Sequence, residues 1–400
     1  MKKSEDEGRI SGLMLTENSQ SIQHLLFVND SLFLCRATFK EGAEILRCLK
    51  VYGEAYGLEI NFQKSSITFG KKLDPIMINT LGLYMDITQE GGAEKHLGLP
   101  ECFNGSKREL LAFVTDKLKA RLSGWYANTL SLGGKEVLLK SVAMVLPVYA
   151  MSCFKLTKFQ CEKITSGMTS FWWNTCEEKN KIHWVSWEKM CKSKSEGGLG
   201  FRDIEQFNLA LLAKQAWRLL SEPQSLLSRL YKAKYYADND FIEPTHGSRP
   251  SYAWRSILYG RELLERGVMK SIRDGTSTRI WLDKWVMDTV PRRPMNRETR
   301  LDLRLLVSDL VTEQGLWDLM KLNELFLRVD VDRIMSYPPN MNYKDEWIWT
   351  YSKDGKYNVK SGSWLVSQPI VYQEPLPAET HHLNRLKSKI WKVDTIIQIF

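Results

Sequence analysis

The sequence predicts an α+β fold in which α-helices predominate, and three observations support it. Hydrophobic residues make up 43% and charged residues 26% of the 400, a composition typical of a globular protein. The apolar runs Leu25–Val28 and Leu32–Leu34 flank the polar turn Asn29–Ser31, which is the pattern of a β-hairpin. From residue 100 onward, apolar residues recur at the spacing of amphipathic helices.

Short elements are predicted around this hairpin. The hairpin turn carries one carboxylate, that of Asp30. Residues 40–56 have helical spacing and are followed by Gly57, a residue typical of helix C-caps. Two short strands are predicted at Leu58–Phe62 and Ile67–Phe69.

Three helices are predicted in the middle of the chain. The first begins at the capping box Ser106–Glu109, and its apolar stripe consists of Leu111, Val114, Leu118, Leu122 and Trp125. The second runs from about Lys135 to Leu146, after a turn at 131–134. The third begins near Asp203 and ends before Pro223, with a stripe of Leu209, Leu212, Ala216 and Leu220. Residues 286–300 are predicted to be a linker and 368–380 a mobile loop.

The net charge of +9 is concentrated in one part of the chain. Residues 1–100 carry a net charge of −2, residues 101–235 carry +9, and residues 236–400 carry +2. Such a basic segment fits an anionic partner such as nucleic acid, and it equally fits an ordinary soluble surface. The candidate phosphate contacts are the cations beside the apolar stripes, which should face outward when the stripes pack: Lys117, Lys119, Arg121, Lys135, Lys140, Lys214 and Arg218.

Several other classes of protein and site are disfavoured. No run of about 18 apolar residues is present, and the N-terminus is too acidic for a secretory signal, so an intracellular chain with no membrane partner is expected. The seven cysteines are odd in number and lack a Cys-x-x-Cys pair, which predicts free thiols and no zinc site. Gly133–Lys135 lacks the rest of a nucleotide P-loop, and Gly197–Gly200 lacks the strand and helix of a dinucleotide site.

The segment His24–Leu32 resembles the H-L-L-F-A-D-D-S-L motif of the reverse transcriptases of plant LINE-type (non-LTR) retrotransposons. The resemblance continues in order along nearly the whole chain, which makes it far more specific than the hairpin alone. The further matching segments are Gly57–Asn61, Lys64–Ser65, His96–Pro100, Leu122–Ser131, Gly134–Ser152, Phe171–Trp173, Ile182–Trp187, Gly197–Asp203, Asn208–Arg218, Pro250–Ser256 and Ile280–Trp281. The segments Trp347–Trp349, Gly355–Ser361 and Lys389–Trp391 resemble the opening of the zinc-binding module that follows the polymerase in this family.

This resemblance implies a domain order. It implies a truncated polymerase palm in residues 1–75, a basic thumb-like helical domain in 76–235, a connecting region in 236–340, and the truncated start of a zinc-binding module in 341–400. That last piece would be a small α/β unit whose zinc ligands are expected beyond Phe400. His381 and His382 are no substitute for those ligands, so no metal is expected there.

The resemblance also implies a degenerate catalytic site. In the family, two adjacent aspartates at the hairpin tip and a third carboxylate upstream hold two Mg²⁺ ions. Here Asn29 replaces the first aspartate and Asp30 remains, while the upstream palm strand and the fingers are expected to be missing. As it stands, the chain is expected to bind no cofactor.

Three functions follow from these expectations. An active RNA-directed DNA polymerase is disfavoured by the change to Asn29. A catalytically inactive relic that binds RNA and DNA through phosphates, without sequence preference, is favoured, and the family implies a nuclear location. The alternative is a helical protein-interaction scaffold with no nucleic-acid role.

Overall fold

The computed structural model of the protein describes residues 1–16, 19–28, 30–70, 72–91, 95–96, 99–100, 112–126, 130–174, 181–243, 250–297 and 301–368. The chain divides into two compact units. The N-terminal unit comprises residues 1–110 and 226–239, and the C-terminal unit comprises residues 111–225 and 240–400. These divisions differ from the predicted domain boundaries at residues 75, 235 and 340.

Helices predominate, and each sheet within the described residues has two strands. The helices are α1 (Lys2–Asp6), α2 (Phe39–Tyr56), α3 (Pro75–Tyr84), α4 (Ala112–Tyr126), α5 (Leu132–Leu138), α6 (Val148–Cys153), α7 (Lys158–Trp173), α8 (Trp187–Cys191), α9 (Ile204–Ser221), α10 (Leu226–Tyr235), α11 (Tyr252–Leu264), α12 (Leu319–Leu325), α13 (Arg328–Met335) and α14 (Val359–Ser367). The strands are β1 (His24–Phe27), β2 (Asp30–Phe33), β3 (Ser66–Ile67), β4 (Gln89–Glu90), β5 (Lys95–His96), β6 (Leu99–Pro100), β7 (Val268–Ser271), β8 (Val286–Met287), β9 (Pro291–Arg292) and β10 (Glu346–Trp349).

The predicted hairpin is present, with its turn one residue earlier than expected. β1 pairs with β2 in antiparallel register, and Phe27 lies opposite Asp30. Val28 has a φ of +52° and follows β1, so Asp30 is the first residue of a strand and not part of the turn. A short two-residue connection is the commonest in β-hairpins, which explains the shift.

The helix predicted at 40–56 is confirmed, but the strand predicted after it is wrong. α2 is capped by Thr38, whose hydroxyl accepts from the Glu41 N–H at 3.3 Å, and it ends at Gly57 with φ +67°. Residues 62–64 form a 3₁₀ turn in which the Asn61 side chain accepts from the Lys64 N–H at 3.1 Å. This local hydrogen bond favours a turn over the extended backbone that the apolar residues suggested.

Helix α9 lies at the centre of the C-terminal unit. It begins after Asp203, whose carboxylate accepts from the Gln206 N–H at 2.8 Å, and it ends two residues before Pro223, as predicted. It packs against α6, α7, α11 and α14, so it is buried on most of its circumference and not along one stripe. Gly260 of α11 allows this packing, because a Cβ there would lie 2.3 Å from the carbonyl carbon of Leu212.

The second predicted helix begins earlier than expected and is interrupted. α5 starts at Leu132, because the Ser131 hydroxyl caps it by accepting from the Gly134 N–H at 3.2 Å. The glycine pair therefore lies in the first helical turn, and the turn predicted at 131–134 is wrong. A π-helical turn, Leu139–Ala143, follows α5, and α6 begins after Pro147.

The segment 286–300, predicted as a linker, is packed in its described part. β8 and β9 pair within it, and Pro291 is buried. The Arg292 guanidinium donates to the carboxylate of Asp330, a residue with no solvent exposure, and the N–H of Met295 donates to the same carboxylate at 2.7 Å. The chain here runs over a core that includes Trp281, Trp285, Trp317 and Phe326.

Some predictions fall on residues that the structure does not describe. They are the capping box Ser106–Glu109, Leu111, residues 369–380 of the predicted loop, and His381–His382. In the described part of the chain, none of the helices has the length and apolar character needed to span a lipid bilayer.

Candidate nucleic-acid interface

Helix α4 presents three cations to solvent. Val114, Leu118 and Leu122 recur every four residues and are buried. Lys117, Lys119 and Arg121 are exposed and make no hydrogen bond or ion pair with the residues that the structure describes. At 100° per residue, Lys117 and Arg121 lie on one flank of the buried stripe and Lys119 lies on the other.

Helix α7 supports this arrangement. The Leu122 side chain lies against Gly167, and the ring of Trp125 lies 5.6 Å from that of Phe171. Both contacts advance in the same direction along the two helices, so α4 and α7 run roughly parallel. Lys163, one turn before Gly167, is exposed, and its ammonium lies 4.8 Å from the Phe159 ring centre.

Lys135 is not a surface cation, and the expectation that it faces outward is wrong. It is 8% exposed, and its ammonium donates to the carbonyl oxygens of Asn174 at 2.5 Å and Trp172 at 3.4 Å. These carbonyls stand at the C-terminal end of α7, where helix carbonyls lack partners within the helix. Burial lowers the pKa of Lys135, and the nearby charge of Lys181 lowers it further.

Three other candidates are exposed only in part, because each donates to a group of the protein. Lys140 donates at 2.7 Å to both the Glu136 carboxylate and the Leu199 carbonyl. Lys214 donates to the carbonyl of Tyr357 at 3.0 Å. Arg218 donates to the side chain of Gln215 at 3.3 Å. Lys214 and Arg218 do not form the free basic face predicted for α9, because that helix is covered on several sides.

The hairpin contributes one carboxylate to the described part of the chain. Asp30 is exposed at the start of β2, and Asn29 lies outside the described residues. In polymerase sites, Mg²⁺ is held by one or two carboxylates together with substrate phosphates and water. Nowhere in the described ranges do three or more His, Cys, Asp or Glu side chains come together to hold a metal ion. The upstream acids Glu5 and Asp6 lie in α1 and not on a strand beside the hairpin.

Sequence reasoning missed two features of this region. Lys163 was overlooked, although a helical projection of 158–173 beside α4 would have found it. The segment Lys181–Trp184 was used only as a family motif, yet it exposes both a lysine and a tryptophan. Its exposure depends on contacts with α7, which a local pattern does not contain.

Comparison with known proteins identifies relatives in plants. No protein-family model matches the chain. The chain is 57% identical over 154 residues to the "Uncharacterized mitochondrial protein AtMg00310" of Arabidopsis thaliana, a match that covers 38% of the chain and all of that relative. It is 32% identical over 293 residues to the "Putative ribonuclease H protein At1g65750" of the same plant, a match that covers 70% of the chain.

The extent of these matches differs. The chain spans only 45% of the length of the ribonuclease H relative, so the activity of that longer protein does not transfer to it directly. Neither relative is named as a reverse transcriptase, although both are consistent with the retroelement kinship that the motifs predict. Because the mitochondrial relative is covered over its full length at 57% identity, the chain belongs to the same protein family as AtMg00310.

Proposed function

We propose that the chain derives from the reverse transcriptase of a plant LINE-type retrotransposon and that it binds RNA or DNA through phosphates without polymerising DNA. The ordered series of motifs supports the derivation. The exposed, unpaired cations Lys117, Lys119 and Arg121 of α4 carry the proposal for binding. They differ from Lys135, Lys140, Lys214 and Arg218 because no group in the described part of the chain accepts a hydrogen bond from them.

Phosphate is the ligand that suits these three side chains. They lie on a helix whose apolar stripe is already buried, so they remain free to contact a partner without any rearrangement of the core. Arginine and lysine bind phosphate oxygens by charge-assisted hydrogen bonds, and such contacts carry no sequence information. Lys163, on the helix α7 that packs against α4, is a further exposed lysine.

A titration of binding against salt tests this function. If about four phosphates are neutralised, the logarithm of the affinity should fall with the logarithm of the salt concentration with a slope of about −3 to −4. Changing Lys117, Lys119 and Arg121 together to Glu should flatten the slope and weaken binding. Filter binding over several salt concentrations measures both quantities, and a melting curve checks that the variant is folded.

The matched control reverses three other exposed lysines of the C-terminal unit, Lys353, Lys356 and Lys360. This variant undergoes the same change in net charge, so a purely general electrostatic effect would weaken both variants equally. If the chain fails to bind in dilute buffer, or binds independently of salt, the protein-interaction scaffold becomes the better function. The exposed apolar side chains of the hairpin, Leu26 and Phe27, would then be its first candidate surface.

The absence of polymerase activity is tested separately by primer extension on an RNA template with Mg²⁺ or Mn²⁺. We expect no incorporation, because one carboxylate cannot hold two metal ions in line. Asn29→Asp should not restore activity, since it supplies only one further ligand. Template-dependent incorporation that Asp30→Ala abolishes would overturn this part of the proposal.

A further inference from the structure

A second surface of the C-terminal unit combines an exposed tryptophan with lysines. The segment 181–184 follows α7 in the described chain and is attached to the end of that helix. The N–H of Lys181 donates to the Asn174 side chain at 3.0 Å, and the His183 ring stacks on the Trp173 ring at 6.3 Å with an interplanar angle of 21°. One backbone hydrogen bond and one ring contact therefore join the segment to the end of α7.

Two apolar side chains of this segment are exposed to solvent. Ile182 is 69% exposed and Trp184 is 66% exposed, whereas Trp172 and Trp187 on either side are buried. Together, Ile182 and Trp184 leave a large apolar area in water, which is typical of a contact surface.

Three lysines lie close to Trp184 in the sequence. Lys181, Lys189 and Lys192 are exposed and make no ion pair with residues in the described ranges. Residues 181–202 contain five basic and two acidic residues, Glu188 and Glu196. The Glu196 carboxylate accepts a hydrogen bond from the Ser193 N–H at 3.1 Å. An anionic partner with a flat apolar face meets both requirements.

We propose that Trp184, flanked by Lys181 and Lys189, is a stacking site for a base of single-stranded nucleic acid. The lysines contact the phosphates and the indole stacks on the base. Unpaired bases offer their flat faces for such stacking, whereas the bases of a duplex are stacked on one another. The proposal rests on the proposed function and adds the class of strand that is bound.

The test compares a single-stranded oligonucleotide with a duplex of equal length at one salt concentration. Trp184→Ala should weaken binding of the single strand at least about fivefold and leave duplex binding nearly unchanged. Trp184→Phe should retain most of the affinity, because the aromatic face remains. Trp364→Ala is the matched control, since Trp364 is 52% exposed, lies in the same unit, and is not surrounded by these lysines.

The outcomes separate this inference from the proposed function. If the chain binds no nucleic acid, both fail. If Trp184→Ala and Trp364→Ala behave alike while the α4 reversal still weakens binding, only the stacking site is wrong. If Trp184→Ala leaves the binding of both the single strand and the duplex unchanged but changes the sedimentation coefficient of the protein, the surface joins copies of the chain. The inference is then overturned.

Discussion

The two compact units contain apolar sequence of similar kind but bury it to different extents. Among the described residues of 1–110, the buried hydrophobic side chains are Ile10, Ile22, Ile45 and Leu81. In the C-terminal unit, helix α9 alone buries more than twice as many. All 14 tryptophans of the chain lie between residues 125 and 391, so the N-terminal unit has none of these large anchors.

An apolar pattern is enough for a strand to form but not for it to be buried. Leu26 and Phe27 follow the strand pattern and pair as expected, yet they are exposed, because the hairpin forms a sheet of only two strands among the residues that the structure describes. A sheet becomes stable when a second layer covers its apolar face. In the C-terminal unit, α9 has such layers in α6, α7, α11 and α14.

The largest expected contrast between the units is in hydrogen exchange. We expect the amides of Leu25–Leu34 to exchange at least about 10³-fold faster than those of Leu209–Leu220, when each rate is divided by the rate of the unfolded chain. Amides of a central helix exchange only when the whole unit unfolds, which costs roughly 5–15 kcal/mol. The hairpin amides should exchange fast because the sheet edges are exposed and few of the hairpin side chains are buried. Mass spectrometry of peptides from both segments measures the contrast, and equal protection would show that the hairpin is far better supported than its burial indicates.

A second contrast uses the same substitution in both units. Leu212→Ala removes a side chain with 0% exposure from α9 and should lower the free energy of unfolding by about 2–5 kcal/mol. Leu83→Ala changes a side chain that is 76% exposed in α3 and should alter that energy by less than about 0.5 kcal/mol. Urea unfolding followed by circular dichroism measures both. Similar losses for the two variants would contradict the difference in packing.

Local signals predicted the local features of the fold well. The bounds of α9 follow from Asp203 as a cap and Pro223 as a stop, and the end of α2 follows from Gly57. The start of α5 was missed because a pair of glycines suggests a turn, while the capping hydroxyl of Ser131 outweighs that preference. The packed segment after β8 was missed because its prolines suggest a linker, and its partner Asp330 lies about forty residues away in sequence.

The candidate interface was predictable only where a helix has one covered side. On α4 the apolar stripe is narrow, so the cations beside it are exposed as expected. Lys214 lies on the central helix, and it reaches a carbonyl of Tyr357, 143 residues away in the chain. Lys135 is drawn to the carbonyls at the end of α7. A periodic pattern within one helix cannot contain such partners, because they come from distant segments.

The smallest expected contrast concerns two buried carboxylates that differ in the exposure of their partners. Burial raises the pKa of Asp330, but hydrogen bonds from Arg292 and from the N–H of Met295 outweigh it and hold the pKa below its ordinary value. In the N-terminal unit, hydrogen bonds from Arg47 and Ser4 lower the pKa of Glu44 to about 2. Arg47 is exposed, whereas Arg292 is largely shielded from solvent.

Both carboxylates should therefore stabilise the folded state at neutral pH and lose this effect in acid. A folded-state pKa below the unfolded value contributes stability above the unfolded pKa, and that stability is lost as the pH falls through the folded pKa. We expect Asp330→Asn to cost about 1.5–3 kcal/mol at pH 7, the range for hydrogen bonds to a charged group, and Glu44→Gln to cost less because solvent screens its partner. Urea unfolding at pH 7 and at pH 3 measures these losses. The free energy of unfolding of the Asp330→Asn variant should also depend less on pH than that of the unchanged protein. If the two proteins show the same pH dependence, this ion pair does not couple protonation to folding.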